Sequence, residues 1–96
     1  MAFTQFVFGS VQDGTPMMFG SSATAETETP SGVNSATTAA AGAGQSVCRV
    51  STDTAVYVSF GTAPNAGTDT IRFFLPANAV EYFRVQSGHK GACITP

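Results

Sequence analysis

"SVCRVSTDTAVYVSF", residues 46–60, is the stretch that decides the fold class. Two runs, 46–51 and 55–60, alternate apolar and polar positions and are rich in β-branched and aromatic residues. The Asp-bearing "TDT" lies between them. This pattern predicts two strands joined by a tight turn, a β-hairpin. In the second run Val56, Val58 and Phe60 share one face, and Ala55, Tyr57 and Ser59 share the other.

The same grammar continues toward the C-terminus. "GTAPNAGTD" (61–69) is punctuated by Gly61, Pro64 and Gly67 and reads as a loop. "TIRFFLP" (70–76) reads as a strand with Ile71, Phe73 and Leu75 on its apolar face, and Pro76 ends it. "PANA" turns the chain, and "VEYFRV" (80–85) returns. "QSGHKG" (86–91) is a tight connection to a last short strand, "ACIT" (92–95). Pairing across that connection would set 80–85 beside 91–95.

Toward the N-terminus, "FTQFVF" (3–8) predicts another strand. "GSVQDGTP" (9–16) supplies a turn, and "MMF" (17–19) is its expected return. Residues 20–45 are dominated by Ala, Thr, Ser and Gly. Without a 3.6-residue period they read as a low-complexity loop or extended arm, with a short strand near 24–29. No capping box precedes an apolar run. The expectation is a single all-β domain over 1–96: a small antiparallel β-sandwich or β-barrel carrying a long extended loop or arm.

Composition narrows the function classes. The chain has 96 residues, enough for one small domain with little stability to spare. Charged residues make up 10% of it, against about 25% in average soluble domains. A surface so poor in charge is expected to be covered by partner subunits, since charge depletion marks interface cores. The net charge is −2, and Arg49, Arg72, Arg84 and Lys90 are scattered, so the basic stripe of a nucleic-acid binder is missing. No run approaches the ~20 apolar residues of a membrane-spanning helix. The N-terminal run is too short for a signal peptide and has no basic flank, so synthesis in a cytoplasm is expected.

Candidate chemistry is sparse. Glu81, His89, Lys90 and Cys93 fall close together in sequence, and His89 with Cys93 is the conceivable nucleophile–base pair. His89 sits on a turn and Cys93 in a strand, so their side chains need not meet. Cys48 and Cys93 lack CxxC spacing. A disulfide between them would stabilise by roughly 4 kcal/mol, but a reducing cytoplasm favours two small buried hydrophobes. "TAETET" (24–29) places Glu26 and Glu28 on one side of an extended segment, an acidic pair without a third ligand. "AGAGQS" (41–46) lacks the Gly-Lys-Ser/Thr ending of a phosphate loop. No catalytic, cofactor-binding or metal-binding residue is assigned, and no cofactor is expected.

The unusual positions are apolar. Tyr57, Phe74 and Tyr82 fall opposite the main apolar face of their strands. Strands with large residues on both faces are normally covered on both. These three, with Glu26 and Glu28, are the candidate interface residues.

"VSTDTAVYVSFGTAPNA" (50–66) and "FFLPANAVEYFRVQSGHKGACI" (73–94) resemble small virion proteins of tailed bacteriophages. The elements that carry the resemblance are Asp53 in a turn, the Gly-x-x-Pro loop at 61–64, the Leu-Pro-Ala segment at 75–77, the Glu-Tyr-Phe strand at 81–83 and the Gly-led last strand at 88–94. They cover about half of the chain. The resemblance implies a capsid decoration or cement protein, located on the virion surface. Its partners would be the major capsid protein and copies of itself, with neither nucleic acid nor membrane as a ligand. It carries over no catalytic residue. A head–tail neck or tail component is the alternative within that class. A glycan or host-surface module stacking sugars on Tyr57, Phe74 or Tyr82 is the alternative outside it.

Overall fold

A computed structural model of the chain describes residues 2–12, 15–17 and 23–96. The strands are β1 (Thr4–Gln12), β2 (Thr15–Met17), β3 (Thr24–Glu28), β4 (Ser35–Ala36), β5 (Val47–Thr52), β6 (Val56–Gly61), β7 (Phe73–Leu75), β8 (Ala79–Arg84) and β9 (Lys90–Ile94). One sheet runs β2-β1-β5-β8, with β3 also paired to β1, and the other runs β4-β9-β6-β7. Every pairing is antiparallel. The protein is a small open β-sandwich, as the alternating runs predict.

Phe6, Phe8, Cys48 and Val50 of the first sheet face Val56, Val58, Leu75 and Cys93 of the second, and Ala41 and Val85 complete this buried cluster. Alternation places each set: Phe6 pairs with Val50 and Phe8 with Cys48, so these side chains share the inner face.

The hairpin expected over 46–60 does not form. β5 pairs with β1 and β8, whereas β6 pairs with β7 and β9. Residues 53–55 therefore arch from one sheet to the other. Side-by-side pairing would leave the apolar faces of both strands on the same side, still in need of a cover. Crossing over sets them against each other. The arch is held locally. Thr54 N donates to Thr52 Oγ1 at 3.2 Å, and Thr52 Oγ1 lies 2.6 Å from the Thr54 carbonyl oxygen. Phe3 N donates to Asp53 Oδ1 at 2.8 Å, which ties the start of β1 to the arch. That bond, the largest influence on Asp53, holds its carboxyl below the usual aspartate value.

The second expected pairing fails in the same way. β8 joins the first sheet and β9 the second, so 86–89 is another crossover and 80–85 does not lie beside 91–95. Gly88 has φ 89°, a left-handed turn conformation suited to glycine. The crossover is pinned from outside, by Gly88 N donating to Ala41 O at 2.7 Å and Ala41 N donating to His89 O at 2.8 Å.

At the N-terminus the expected hairpin is present with shifted bounds. β1 continues to Gln12, and Gln12 pairs with Thr15. Residues 18–19 of the expected return lie outside the described residues. The strand expected near 24–29 is β3, paired with β1 from Thr4↔Glu28 to Phe8↔Thr24. From β3 onward the segment expected as a loop or arm lies against the body. Thr37 and Ala41 are buried, and Thr37 N donates to Gly91 O at 2.8 Å.

The loop before β7 folds over the outer face of the second sheet. Asn34 holds it: Ala66 N donates to Asn34 Oδ1 at 2.8 Å, and Asn34 Nδ2 donates to Pro64 O at 3.3 Å. Ala66, Ser59 and Ala92 are fully buried, although Ser59 and Ala92 form a cross-strand pair on that outer face. Ser59 Oγ has no hydrogen-bond partner among the described residues. An unsatisfied buried hydroxyl costs about 1–3 kcal/mol, whereas apolar replacement is nearly neutral or favourable. Ser59→Ala is therefore expected to raise the urea midpoint, with a gain of roughly 1 kcal/mol. A fall in the midpoint would count against the loop packing described above.

Candidate functional site

The sandwich opens on one side, between the edge strands β7 and β8. Phe60, Phe73 and Phe83 all occupy inward-facing registers, yet Phe60 and Phe83 are only partly buried against the core and Phe73 is exposed. They continue the core outward as a chain of rings. Phe6 lies edge-on to Phe60 at 6.1 Å, Phe60 meets Phe83 at 5.2 Å, and Phe83 meets Phe73 at 5.0 Å. Their outer faces line a groove of about 410 Å³, completed by Ile71, with Arg84 and His89 at its rim.

The exposed apolar surface gathers here as well. Among the described residues, Phe3, Val33, Ile71, Phe73, Phe74, Val80 and Tyr82 are the exposed large hydrophobics, and the last five fall within 71–82. They follow the β7–β8 edge without sharing a face: Ile71 and Phe73 line the groove, Phe74 lies on the outer face of the second sheet, and Val80 and Tyr82 lie on the outer face of the first.

The five candidate interface residues are distributed over three places. Tyr57 and Phe74 meet on the outer face of the second sheet as a cross-strand pair, ring centroids 5.5 Å apart and planes at 65°. Arg72 lies over the Tyr57 ring at 4.1 Å, a cation–π contact that occupies that face. Tyr82 stands on the outer face of the first sheet, paired with Arg49. The three aromatics thus form no common platform for a sugar.

Glu26 and Glu28 lie on the inner register of β3, at the opposite edge of the sandwich, paired with Phe6 and Thr4. They clamp β3 to the segment around β4. Glu26 accepts from Thr38 N at 2.7 Å, Thr38 Oγ1 at 3.0 Å and Ala39 N at 3.1 Å. Ser35 Oγ donates to Glu28 Oε1 at 2.6 Å. Desolvation acts upward on Glu26, but the bonds from Thr38, Glu28 and Ala39 outweigh it and leave its pKa lowered. Desolvation and the neighbouring Glu26 raise that of Glu28 against the Ser35 bond.

These opposite shifts have opposite signs in stability. Glu26, lowered, contributes stability above the ordinary carboxylate pKa and loses it as pH falls through its own. Glu28, raised, contributes below the ordinary value and loses it as pH rises through its own. At neutral pH Glu26→Gln is expected to lower stability by about 1–2 kcal/mol, three charge-assisted bonds being discounted for partial exposure. Glu28→Gln keeps an acceptor for Ser35, removes the like charge, and is expected to be neutral or stabilising by a few tenths of a kcal/mol. Urea titrations at neutral pH and near pH 3 would measure both. Equal losses from the two variants at neutral pH would contradict the assignment.

The cysteines belong to the core. Both are buried free thiols. Burial pushes Cys48 up to about 12 and Cys93 up to about 11. Neither supplies the thiolate that a nucleophile needs at neutral pH. His89 instead stands at the rim of the groove. Among the described residues no group of three or more His, Cys, Asp or Glu side chains is arranged to hold a metal ion, and no helix is long and apolar enough to cross a membrane.

Tyr57, Phe74 and Tyr82 stand out in the sequence because they break the inside–outside pattern. Phe60, Phe73 and Phe83, the rings that line the groove, obey that pattern and do not stand out. Their available signal is position: Phe60 lies near the end of β6, and Phe73 and Phe83 lie on strands joined by a connection too short to return them to the middle of a sheet.

The chain matches no protein family, no curated protein and no solved structure.

Proposed function

We propose that this protein is a structural subunit of a bacteriophage particle, a capsid decoration or cement protein that docks on the assembled shell through the β7–β8 corner. The observation that carries the reading is the run of exposed apolar side chains along the β7–β8 edge, on both outer faces and in the groove between them, in a chain poor in charge. A monomer exposing Ile71, Phe73, Phe74, Val80 and Tyr82 along one edge leaves apolar area in water that a partner gripping that edge would remove. The resemblance of 50–66 and 73–94 to small virion proteins names the kind of partner, the major capsid protein.

The mechanism is mechanical. A subunit that contacts shell proteins only in their assembled arrangement stabilises that arrangement by mass action. Repetition of the contact over a symmetric shell turns modest affinity into firm attachment. The location implied is the virion surface.

The test is a quantitative protein gel of gradient-purified particles. Decoration predicts a copy number comparable to that of the major shell subunit. A few copies per particle would place the protein at the neck or tail, and absence would overturn the reading. Shells assembled with an Ile71→Glu chain are expected to carry fewer copies, because this charge falls on the corner and outside every strand.

A further inference from the structure

We infer that β8 is a self-pairing edge, through which two copies of this chain join their first sheets into one continuous sheet around a two-fold axis at Tyr82. This pairing rests on reading the β7–β8 corner as an interface, and names a second copy as one occupant of it.

The direction of the free backbone groups follows from one hydrogen bond. Val85 N donates to Ser46 O at 3.0 Å, in line with the register that pairs Val47 with Arg84 and Cys48 with Phe83. In an antiparallel ladder the bonded pairs alternate. Phe83, Glu81 and Ala79 therefore turn their N–H and C=O groups toward β5. Val80, Tyr82 and Arg84 turn theirs outward, where no strand lies beyond β8 among the described residues.

The other edges are blunted in the ways that prevent strand addition. β4 has two residues, and β2 and β7 have three each. β3 carries Glu26 and Glu28, which fasten it to the β4 segment. β8 has six residues and leaves Val80 and Tyr82 exposed beside its free groups.

A second copy fits this edge in a specific register. Pairing Tyr82 with Tyr82 of the other copy sets Val80 against Arg84 on both sides, so all outward-pointing groups find partners. Glu81 then stands opposite Phe83. A shift that centres the axis on Glu81 would place two carboxylates face to face, which is unfavourable. The strand carries one negative and one positive residue, so the copies meet without net repulsion.

The area is of the right order. Ile71, Phe73, Val80 and Tyr82 expose 74, 43, 46 and 51% of their surface, on the order of 400 Å² for side chains of this size. A stable dimer takes about 800 Å² from each partner, and the strand edge with Glu81, Phe83 and Arg84 adds to the apolar part. A two-fold perpendicular to the sheet keeps both inner faces on one side. The two aromatic grooves then open onto each other beneath the joined sheet.

The experiment is sedimentation equilibrium of the purified full chain, without particles, up to about 1 mM, the weak limit of a specific contact. A monomer–dimer equilibrium is expected. Tyr82→Pro removes one outward N–H and no bond to β5, a position where an edge strand tolerates proline. It is expected to weaken the dimer at least tenfold while the melting curve stays close to that of the parent. Should that variant not fold, amide exchange of the parent decides independently. The N–H groups of Val80, Tyr82 and Arg84 are expected to gain protection as concentration rises. A monomer at every concentration, with these three amides exchanging freely, overturns the self-pairing. If such a monomer still binds particles, the shell alone occupies the corner and the proposed function stands. A dimer that forms in solution but never appears on particles upholds the self-pairing and overturns the proposed function.

Discussion

Replacing Phe6 with alanine is expected to lower the melting temperature by roughly 15–30 °C, the shift that corresponds to a loss of about 3–5 kcal/mol in a domain of this size. The side chain is fully buried, lies on β1 between β3 and β5, and faces Val50 and Glu26 across these two neighbours. Its ring is also the inner end of the aromatic series that runs through Phe60 to the groove. Strands hold the backbone on both sides, so the site cannot collapse around a smaller residue, and the cavity cost adds to the lost transfer energy. Domains as small as this one have total stabilities of about 5–15 kcal/mol, so a fifth or more would be removed. Phe74→Ala is the control, because its ring is half exposed and its loss is expected to stay near 1 kcal/mol. Circular dichroism melts of both variants check the pair. Similar shifts would mean that the buried and exposed aromatics have been assigned to the wrong faces.

The faces of the strands were legible in the sequence, but their neighbours were not. Val56, Val58, Tyr57 and Phe74 lie on the sides that alternation assigns them. Alternation specifies which side of a strand is buried, and is silent on whether the next strand sits beside it or across from it. Hence 46–60 reads as a hairpin and folds as an arch. The arch is held by Thr52, whose side chain bonds the backbone of the arch and whose hydroxyl lies 3.0 Å from that of Thr4 on β1. A threonine at the end of a β-branched run carries no mark of that role.

The candidate site was legible to a similar depth. Low charge and large residues on both strand faces point to a covered surface, and the exposed apolar side chains of 71–82 are where the structure leaves such surface open. The groove itself is hidden in the sequence because Phe73 and Phe83 carry the signature of core residues. Only the fact that β7 and β8 are both edges, on the same side of the sandwich, leaves them half covered. Glu26 and Glu28 illustrate the converse. An acidic pair in a Thr-rich segment reads as solvated, and the donors that hold it, Ser35, Thr38 and Ala39, come from a stretch without any periodic signal.

Gly91→Ala is expected to cost about 3 kcal/mol, the upper end of what overpacking produces, and the loss should be relieved when Phe6 is also replaced. An ideal Cβ at position 91 would sit 2.5 Å from Phe6 Cδ1 and 2.6 Å from Cε1, closer than any carbon contact allows. Gly91 is needed for the approach of the ring and not for an unusual backbone angle, since it is absent from the positive-φ residues. Neither side can yield easily. The glycine backbone is paired to Phe60 on β6, donates to Thr37 Oγ1 at 3.2 Å and accepts from Thr37 N at 2.8 Å. The ring is wedged against Phe60. A double-mutant cycle isolates the contact. With Phe6→Ala alone costing about 4 kcal/mol, independent sites would bring the double variant to about 7. The new methyl instead enters the space that the ring vacates, so the double variant is expected to lose at least 2 kcal/mol less than that sum. Additivity within about 0.5 kcal/mol would show that ring and glycine do not touch, and with it the packing of β1 across β9 would have to be redrawn.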